Sequence, residues 1–320
     1  MSYINGYSAE ETARLDHQHG AYKAMLHGKL FSSRVRDAAA RGEVKRVLDV
    51  GTGTGIWCYD ALAELHALSG SQGQVIVGTD VVENEQWKAH SGPGRVFVQA
   101  DLNDEAGMLK IAKEHGPFDV VSARLLSVAI KEGKWETFMQ TLSKLLRPGG
   151  FVQLLEIDAI NSHSCPTHAG QTYREGAEAL IVPHALYRVS GCDPHCSPRL
   201  AERLRRSGFV GVTNELIYGD SHDVNADGSR TLNKAVDEWM QRTNEHLKPI
   251  FLKVRQLPHY KALLDRLPPW ILELTDGRPE ALLKDEAEYD DFARRHEKRW
   301  REDPAWHCAI NVAVGQKAVI

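Results

Sequence analysis

Residues 46–57 of this 320-residue chain read RVLDVGTGTGIW, and this stretch decides the fold. A short apolar run containing Asp49 ends in three alternate glycines, which lead into a helical pattern. A strand that feeds a glycine-rich turn and then a helix is where an open α/β sheet receives a nucleotide-like ligand. Glycine permits positive φ and lets the backbone approach a ligand closely. The stretch therefore predicts a first strand, a ligand-binding turn and a first helix.

The spacing of the glycines narrows the choice of ligand. A dinucleotide fingerprint requires G-x-G-x-x-G, whereas Gly55 follows Gly53 after a single residue and the next position is Ile56. A phosphate-binding P-loop requires G-x-x-x-x-G-K followed by Ser or Thr, and the sequence here lacks that pattern. An NAD-dependent dehydrogenase is therefore disfavoured. The remaining pattern is an acidic residue, Asp49, followed by G-x-G-x-G from Gly51 onward.

Strands and helices alternate on both sides of this turn. The predicted strands cover residues 47–50, 74–80, 95–100, 118–123, 151–157, 209–218 and 306–315. The predicted helices follow a capping box at residues 8–11 and cover residues 31–41, 56–68, 135–146 and 198–207. Short apolar strands separated by helices predict a parallel, doubly wound sheet. The stretch 221–303 is charged and mainly helical, with predicted breaks at Pro249, Pro258 and Pro268-Pro269.

Polar residues follow the predicted strands in chain order. Asp80 closes the second strand, Asp101 and Leu102 follow the third, and Arg124 follows the fourth. An aspartate at a strand end is by itself most often a turn former or a helix cap. Several such residues, each after its own strand, instead indicate one ligand at one edge of the sheet. Asp80 is the residue placed to accept the hydroxyls of a ribose.

The glycine pattern resembles motif I of the class I S-adenosylmethionine (SAM) methyltransferases. Further motifs are similar to the fungal LaeA-like, or UMTA-type, methyltransferases over most of the chain. They are RLDHQH at 14–19, GKL at 28–30, VLDVGTGTGIW at 47–57, VGTD at 77–80, SARLL at 122–126, LLRPGGFVQLLEID at 145–158 and RLAERLRRSGFVGV at 199–212. The LDHQH and GTGTGIW elements are the more specific, because many class I enzymes share the element of the fifth strand.

The resemblance implies SAM as cofactor and S-adenosylhomocysteine as product. The implied cofactor-binding residues are Asp49, Gly51, Gly53, Gly55, Asp80, Val81, Asp101, Leu102 and Arg124. Backbone amides of the glycine turn would meet the methionyl carboxylate. In the family, an acidic residue at the position of Asp101 meets the adenine amino group, Val81 is placed against the adenine face, and Arg124 lines the methionyl pocket.

The resemblance also implies a domain organisation. Residues 1–43 are expected to form an N-terminal helical lid, and residues 44–220 a Rossmann-like SAM-binding domain. Residues 221–305 would be a helical insertion or cap, and residues 306–320 would return as the last strand of a seven-stranded sheet, antiparallel to its neighbours. The insertion is long enough to close a pocket, although its charged helices fit a solvated face or a dimer surface equally well.

The acceptor side of the site is less clearly marked in the sequence. The segment after the fifth strand carries three histidines that are candidates for a general base: His163, His168 and His184. A base is useful if the acceptor is a hydroxyl, whereas an amine needs only to be unprotonated. Each histidine is also compatible with a surface or packing role. The candidate substrate-lining residues are Gln18, His19, Glu156, Tyr173 and Tyr187, whereas the apolar stripe of Leu15, Tyr22 and Leu26 is assigned to helix packing.

Composition limits the partners. The net charge of −4 gives no general reason to bind nucleic acid or an anionic membrane, and the sequence lacks the [ND]-P-P-[FY] tetrad of many nucleic-acid methylases. Five scattered cysteines, without a signal-like N-terminus, favour a reduced cytoplasmic compartment. No metal is predicted, because Cys192 and Cys196, with His195 between them, lack a second pair of ligands.

These observations predict a SAM-dependent methyltransferase. Its acceptor would be a nitrogen or oxygen of a small molecule, a specialised fungal metabolite, methylated by in-line displacement through proximity. Two other functions stay open: a SAM-binding regulator of secondary metabolism that acts through protein partners, and a SAM-dependent cyclase or isomerase that transfers no methyl group. The acceptor atom and the oligomeric state do not follow from the sequence.

Overall fold

A computed structural model describes residues 8–158, 173–303 and 306–319, and its centre is a seven-stranded sheet. The first five strands are β1 (Arg46–Val50), β2 (Val75–Asp80), β3 (Arg95–Gln99), β4 (Phe118–Arg124) and β5 (Leu146–Ile157). The remaining strands are β6 (Phe209–Asp220), β7 (His222–Val224), β8 (Arg230–Leu232) and β9 (His307–Lys317). Strands β7 and β8 form a separate hairpin.

The strand order is β3-β2-β1-β4-β5-β9-β6, with β1 to β5 parallel and β9 antiparallel to both of its neighbours. The predicted class I topology, with its returning last strand, is therefore confirmed. Strand β1 is buried from Val47 to Val50, as expected of a central strand covered by helices on both faces. Because the strands are in register, the carboxyl ends of β1 to β5 lie along one edge of the sheet.

Helices cover both faces of this sheet. They are α1 (Ala9–Met25), α2 (Ser33–Ala40), α3 (Ile56–Ser69), α4 (Trp87–His90), α5 (Glu105–His115), α6 (Trp135–Leu145), α7 (Tyr173–Val189), α8 (Leu200–Arg206), α9 (Lys234–Arg255), α10 (Tyr260–Leu263), α11 (Pro269–Leu274) and α12 (Glu286–Glu302). Buried residues of α1, α2, α3 and α9 form one core with the sheet, and those of α5, α6 and α8 form a second. A third core joins α7 to the insertion helices. No helix in these described ranges is both long enough and apolar enough to cross a membrane.

The insertion differs from its prediction in two places. The predicted break at Pro249 is wrong, because Pro249 lies inside α9. Pro249 and Glu245, four residues earlier, are both exposed, so water can solvate the carbonyl that loses its helical hydrogen bond. The hairpin of β7 and β8 was not predicted, although its turn carries Asp227-Gly228, with Gly228 at φ +82°.

The N-terminal helix begins at the predicted cap. The Ser8 hydroxyl accepts a hydrogen bond from the Glu11 backbone N–H at 3.1 Å. The Glu11 carboxylate pairs with the Arg14 guanidinium at 2.6 Å. Helix α1 then packs against α9, α3 and β6, which brings it close to the carboxyl edge of the sheet.

Candidate active site

The glycine turn after β1 is held by its own backbone. Gly51, Gly53 and Gly55 have φ of +70°, +56° and +83°, in the left-handed region that favours glycine. Their N–H groups donate to Thr79 O at 2.8 Å, to Asp80 Oδ2 at 2.8 Å and to Thr52 O at 3.0 Å. These three amides are therefore engaged within the protein. In this conformation the predicted contact with the methionyl carboxylate therefore needs hydrogen-bond donors other than these three amides.

Asp80 stands at the end of β2 beside this turn. Its two carboxylate oxygens accept from the N–H groups of Gly53 and Val81, both at 2.8 Å. Burial raises the pKa of Asp80, although these backbone N–H groups act in the opposite direction. A carboxylate has about four lone-pair sites, so each oxygen can accept a further hydrogen bond from a ligand. The side chain of Val81 is exposed next to it.

A buried ion pair lies at the ends of β1 and β4. The Arg124 Nη2 atom is 3.4 Å from Asp49 Oδ2, and the guanidinium lies over the Trp57 ring, 4.9 Å from its centroid. Within residues 8–158, 173–303 and 306–319, Asp49 Oδ1 and Arg124 Nε are buried without a hydrogen-bond partner. An unsatisfied buried acceptor and donor are costly. Side by side, they fit a ligand that carries an ammonium and a carboxylate, as the methionyl end of SAM does.

The third strand brings its own acidic residue to the same edge. In the register of the sheet, Gln99 pairs with Asp80, so Asp101 follows two residues beyond it. Asp101 is exposed, and its Oδ1 atom accepts from both the backbone and the side-chain N–H of Asn103, at 2.8 and 2.9 Å. Leu102 packs against the sheet core. Asp101 is thus an exposed residue of the loop where the family resemblance expects the adenine.

Helix α1 is tied to the glycine turn and to α3. The Thr54 hydroxyl donates to Asp16 Oδ1 at 2.6 Å. His19 Nε2 and Lys23 Nζ each lie 2.8 Å from Asp60 Oδ2 on α3. The hydrogen bond from His19 is the main reason that the pKa of Asp60 is lowered to about 2, whereas burial lowers the pKa of His19 itself. His19 is thus engaged in fastening α1.

The neighbouring substrate candidate, Gln18, is half-buried on α1. Asp16, Thr54 and Asp60, which fasten the helix together with His19, were not singled out from the sequence. The LDHQH element did mark this part of α1, but the sequence could not show which of its side chains turn toward α3.

Glu156 at the end of β5 is the central residue of the acceptor side. Its Oε1 atom accepts from the backbone N–H groups of Leu126 at 2.7 Å and Ser127 at 3.1 Å. Its Oε2 atom is buried, and no described residue provides it with a hydrogen-bond partner. Burial raises the pKa of Glu156 to about 7. The carboxyl group is therefore held firmly by one oxygen while the other is open to a ligand.

Two tyrosines accompany Glu156. The hydroxyl groups of Tyr187 and Ser127 are 2.8 Å apart, which links Tyr187 to the turn that holds the carboxylate. The Tyr22 hydroxyl, on α1, is buried with no hydrogen-bond partner in the part of the chain that the structure describes. Burial is the main cause of the raised pKa of Tyr22, and the nearby carboxyl group of Glu156 acts in the same direction. The sequence analysis assigned Tyr22 to helix packing. The hint of a further role was that Tyr22 places a phenol hydroxyl within an otherwise apolar stripe.

The candidate histidines are placed differently. His184 Nε2 lies 2.8 Å from the backbone oxygen of Asp265 in the insertion, and its ring contacts His195 at a centroid distance of 5.5 Å. Because a carbonyl only accepts, Nε2 carries the proton, and burial lowers the pKa of His184 to about 4. This packing position does not favour a role as base. His163 and His168 lie outside the described residues, as does the side chain of Tyr173.

Comparison with known proteins agrees with this geometry. Residues 22–213 match the family model described as Methyltransferase domain. Methyltransferase pytC of Aspergillus terreus is 31% identical over 215 residues, which are 66% of this chain and 59% of that protein. Methyltransferase grgD of a Penicillium species is 31% identical over 151 residues, or 47% of this chain and 50% of that protein. Secondary metabolism regulator LAE1 of Pyricularia oryzae is 31% identical over 158 residues, or 49% and 44%.

Solved structures give more distant matches. The cyclopropane synthase MmaA2 of Mycobacterium tuberculosis is 14% identical, with a TM-score of 0.43 over 89% of this chain and 83% of that one. Phosphoethanolamine N-methyltransferase 2 of Haemonchus contortus is 15% identical, with a TM-score of 0.40 over 93% and 56%.

The chain spans about half the length of the curated relatives it matches. The family match nevertheless covers more than half of this chain, including the glycine turn, Asp80, Arg124 and Glu156. The chain therefore belongs to the methyltransferase-domain family. It is also similar to the LaeA-like proteins, among them LAE1 of Pyricularia oryzae.

Proposed function

We propose that this protein transfers a methyl group from SAM to a nitrogen or oxygen of a small-molecule acceptor, a specialised fungal metabolite. The observation that carries the proposal is the pair of buried atoms Asp49 Oδ1 and Arg124 Nε beside the glycine turn, to which no described residue supplies a hydrogen-bond partner. They suit the ammonium and the carboxylate of an amino-acid ligand. Glu156, on the same edge of the sheet, supports an acceptor site next to them.

Different residues at the carboxyl edge of the sheet bind different parts of SAM in this proposal. Asp49 and Arg124 hold the methionyl end, and Asp80 accepts hydrogen bonds from the ribose hydroxyls. Val81, Asp101 and Leu102 border the adenine. When bound, SAM supplies an electrophilic methyl group on a positively charged sulfur. The protein then needs to align the acceptor with that methyl group and to exclude water, which is mainly catalysis by proximity.

The N-terminal segment 1–43 acts in this proposal as a lid over the Rossmann-like domain 44–220. Its contact with the glycine turn through Asp16 and Thr54 supports that role. A second support is its packing on the insertion 221–305, where the rings of Tyr22 and Trp239 lie 5.3 Å apart. The lid and the insertion together would enclose a small acceptor.

Replacing Asp80 by alanine tests the cofactor site. We expect the Asp80→Ala variant to bind SAM about 10- to 150-fold more weakly, a loss of roughly 1.5–3 kcal/mol for a charge-assisted hydrogen bond. The loss has two sources, since Asp80 also holds the Gly53 N–H of the turn. Isothermal titration calorimetry with SAM measures it.

The matched control for this test is Glu83→Ala, which removes the same charge from an exposed residue just beyond β2. Glu83→Ala should bind SAM as the wild type does. Asp80→Ala with unchanged SAM affinity would refute the ribose role. Equal weakening in both variants would instead assign the effect to net charge.

A second function is favoured by the relatives that are named secondary metabolism regulators, such as LAE1 of Pyricularia oryzae. A regulator would bind SAM, form no S-adenosylhomocysteine with small molecules and retain a stable protein partner through purification. A non-methylating cyclase or isomerase would convert its substrate without forming S-adenosylhomocysteine. Product analysis with deuteromethyl-labelled SAM separates these functions from methyl transfer to a small molecule.

A further inference from the structure

We propose that Glu156 is the general base of the methyl transfer and that its proton comes from a hydroxyl group of an uncharged acceptor. This inference rests on the proposed function and deepens it, because it names both the acceptor atom and the residue that activates it. In this proposal Glu156, and not one of the candidate histidines, is the general base. The hydroxyl group of Tyr22 makes a second contact with the acceptor.

The carboxylate has the geometry of a positioned base. Two consecutive backbone N–H groups, from Leu126 and Ser127, bind Oε1 and fix the plane of the carboxyl group. Glu156 is 2% exposed, and across the described ranges Oε2 lacks any hydrogen-bond partner. A fixed carboxyl group with one open oxygen can receive a proton from a ligand that is delivered to it.

The surroundings of Glu156 allow its carboxyl group to take up a proton near neutral pH. The titratable groups that it influences from the neighbouring elements are weak acids: Tyr22 on α1, Tyr187 on α7 and Cys196 in the loop before α8. Burial is the main cause of the raised pKa of Glu156, and hydrogen bonds from Ser127 and Leu126 oppose it; no cation among the described residues contributes. A pKa of about 7 leaves a base that is substantially unprotonated, yet still effective, near neutral pH.

The charged residues beyond these weak acids already have ion-pair or hydrogen-bond partners within the protein. Arg14, which faces Tyr22, forms an ion pair with Glu11 at 2.6 Å. Asp193, which faces Cys196, pairs with Arg203 at 2.6 Å. Asp158, two residues after Glu156, accepts from Asn311 Nδ2 at 2.9 Å. Glu156 therefore has a buried carboxylate oxygen, Oε2, to which no described residue supplies a hydrogen-bond partner.

Tyr22 provides the second contact. Its buried hydroxyl has no partner in residues 8–158, 173–303 or 306–319, and Glu156 and Tyr187 both affect its pKa. A phenol both donates and accepts, so it can orient the acceptor oxygen while Glu156 removes the proton. Tyr22 belongs to α1, which also contacts the glycine turn through Asp16, so one helix borders both halves of the site.

The acceptor O–H bond breaks, and its proton passes to Glu156 Oε2. The electron pair left on oxygen forms the bond to the methyl carbon. The carbon–sulfur bond of SAM breaks at the same time, with its electron pair going to sulfur, which leaves neutral S-adenosylhomocysteine. Glu156 ends protonated and neutral, and the proton returns to water after the product leaves.

The Glu156→Gln variant tests the base. The amide oxygen of Gln can still accept from Leu126 and Ser127, while an NH₂ group takes the place of Oε2 and cannot accept the proton. The assay follows transfer from deuteromethyl-labelled SAM to catechol, 4-methylphenol and 2-phenylethanol, with 2-phenylethylamine and tryptamine as amine acceptors. We expect methylation of a hydroxyl compound, and a loss of about 100-fold or more in kcat in Glu156→Gln.

Three further measurements distinguish a base from a structural residue. SAM affinity should be unchanged in Glu156→Gln, which shows that the variant is folded. The kcat of the wild type should rise with pH through an apparent pKa near 7, and Glu156→Gln should lose this rise. Tyr22→Phe should keep it while losing about threefold to tenfold in kcat/KM for one hydrogen bond. The control Glu178→Gln, at a buried carboxylate paired with Arg295, should keep both the rise and the turnover.

The outcomes separate this inference from the function it rests on. Methylation of amines alone, or a Glu156→Gln variant that keeps its turnover and pH profile, would overturn the base assignment and leave methyl transfer standing. SAM binding without methylation of any acceptor in the set would count against the methyltransferase itself. If Glu156→Gln fails to bind SAM, the pH dependence of kcat in the wild type and in Tyr22→Phe tests the proposal instead. If kcat does not rise near pH 7 in either protein, the proposal is overturned.

Discussion

Between about pH 4.5 and pH 8, the free energy of unfolding of the wild type is expected to fall by about 3 kcal/mol relative to that of the Glu156→Gln variant. Burial raises the pKa of Glu156 from its ordinary value of 4.5 to about 7 in the folded protein. The folded state therefore binds this proton more tightly than the unfolded state. Its stabilising effect is fully present below about pH 4.5 and is lost as the pH rises through about 7.

Urea unfolding of the two proteins at several pH values measures this difference. Other titrating groups are common to both chains, so the comparison isolates Glu156. Glu178→Gln serves as the control for the removal of a buried carboxyl group, since Glu178 is paired with Arg174 and Arg295. Stability curves of the wild type and Glu156→Gln that run parallel from pH 4.5 to 8 would show that Glu156 titrates normally.

Replacing Gly55 by alanine should destabilise the protein by roughly 2–5 kcal/mol and weaken SAM binding at least tenfold. Gly55 has φ +83°, and its new Cβ atom would lie 2.5 Å from Cε1 of Phe97. Left-handed backbone costs an alanine roughly 1–2 kcal/mol, and overpacking adds about 1–3 kcal/mol. The Phe97 ring cannot yield easily, because it is stacked on Trp87 at 5.4 Å, and Trp87 Nε1 donates to Gly53 O. Displacing it should disturb the glycine turn itself.

Gly55 directly precedes α3, and the glycine that directly follows α3, Gly70, supplies the control. Gly70 ends α3 with φ +62°, and a Cβ atom there would meet nothing within 4 Å. Gly70→Ala should therefore show the backbone strain alone, about 1–2 kcal/mol, with SAM affinity unchanged. Denaturant unfolding and SAM calorimetry on both variants test the comparison. Equal destabilisation together with normal SAM binding would mean that the turn tolerates the added methyl group.

The sheet could be predicted from the sequence because its signals are local. Each parallel strand is a short apolar run between helices, and the glycine turn fixes which strand comes first. Strand β9 was predicted with nearly its observed bounds, although it follows a long helical insertion. Inside the insertion, the rule that a proline ends a helix failed at one position. The exposed Pro249 does not end α9, because water can satisfy the carbonyl that proline leaves unpaired.

The site could be predicted only where strand ends define it. The residues at those ends, Asp80 and Arg124 among them, lie along the expected edge of the sheet, and their roles toward SAM stay predictions. Thr79 and Asp80 accept hydrogen bonds from N–H groups of the glycine turn, because the turn folds back on β2. The spacing of residues in the sequence does not reveal this fold. The approach of Tyr22 to Glu156 joins residues more than a hundred positions apart.

Calorimetric titration of the wild-type chain with SAM and, separately, with NADH tests the central claim most directly. That claim is that the edge formed by β1, β2 and β4 is a SAM site. We expect SAM to bind with one site per chain and NADH to give no binding heat, because the glycine spacing does not match a dinucleotide turn. Binding of NADH without binding of SAM would contradict the assignment.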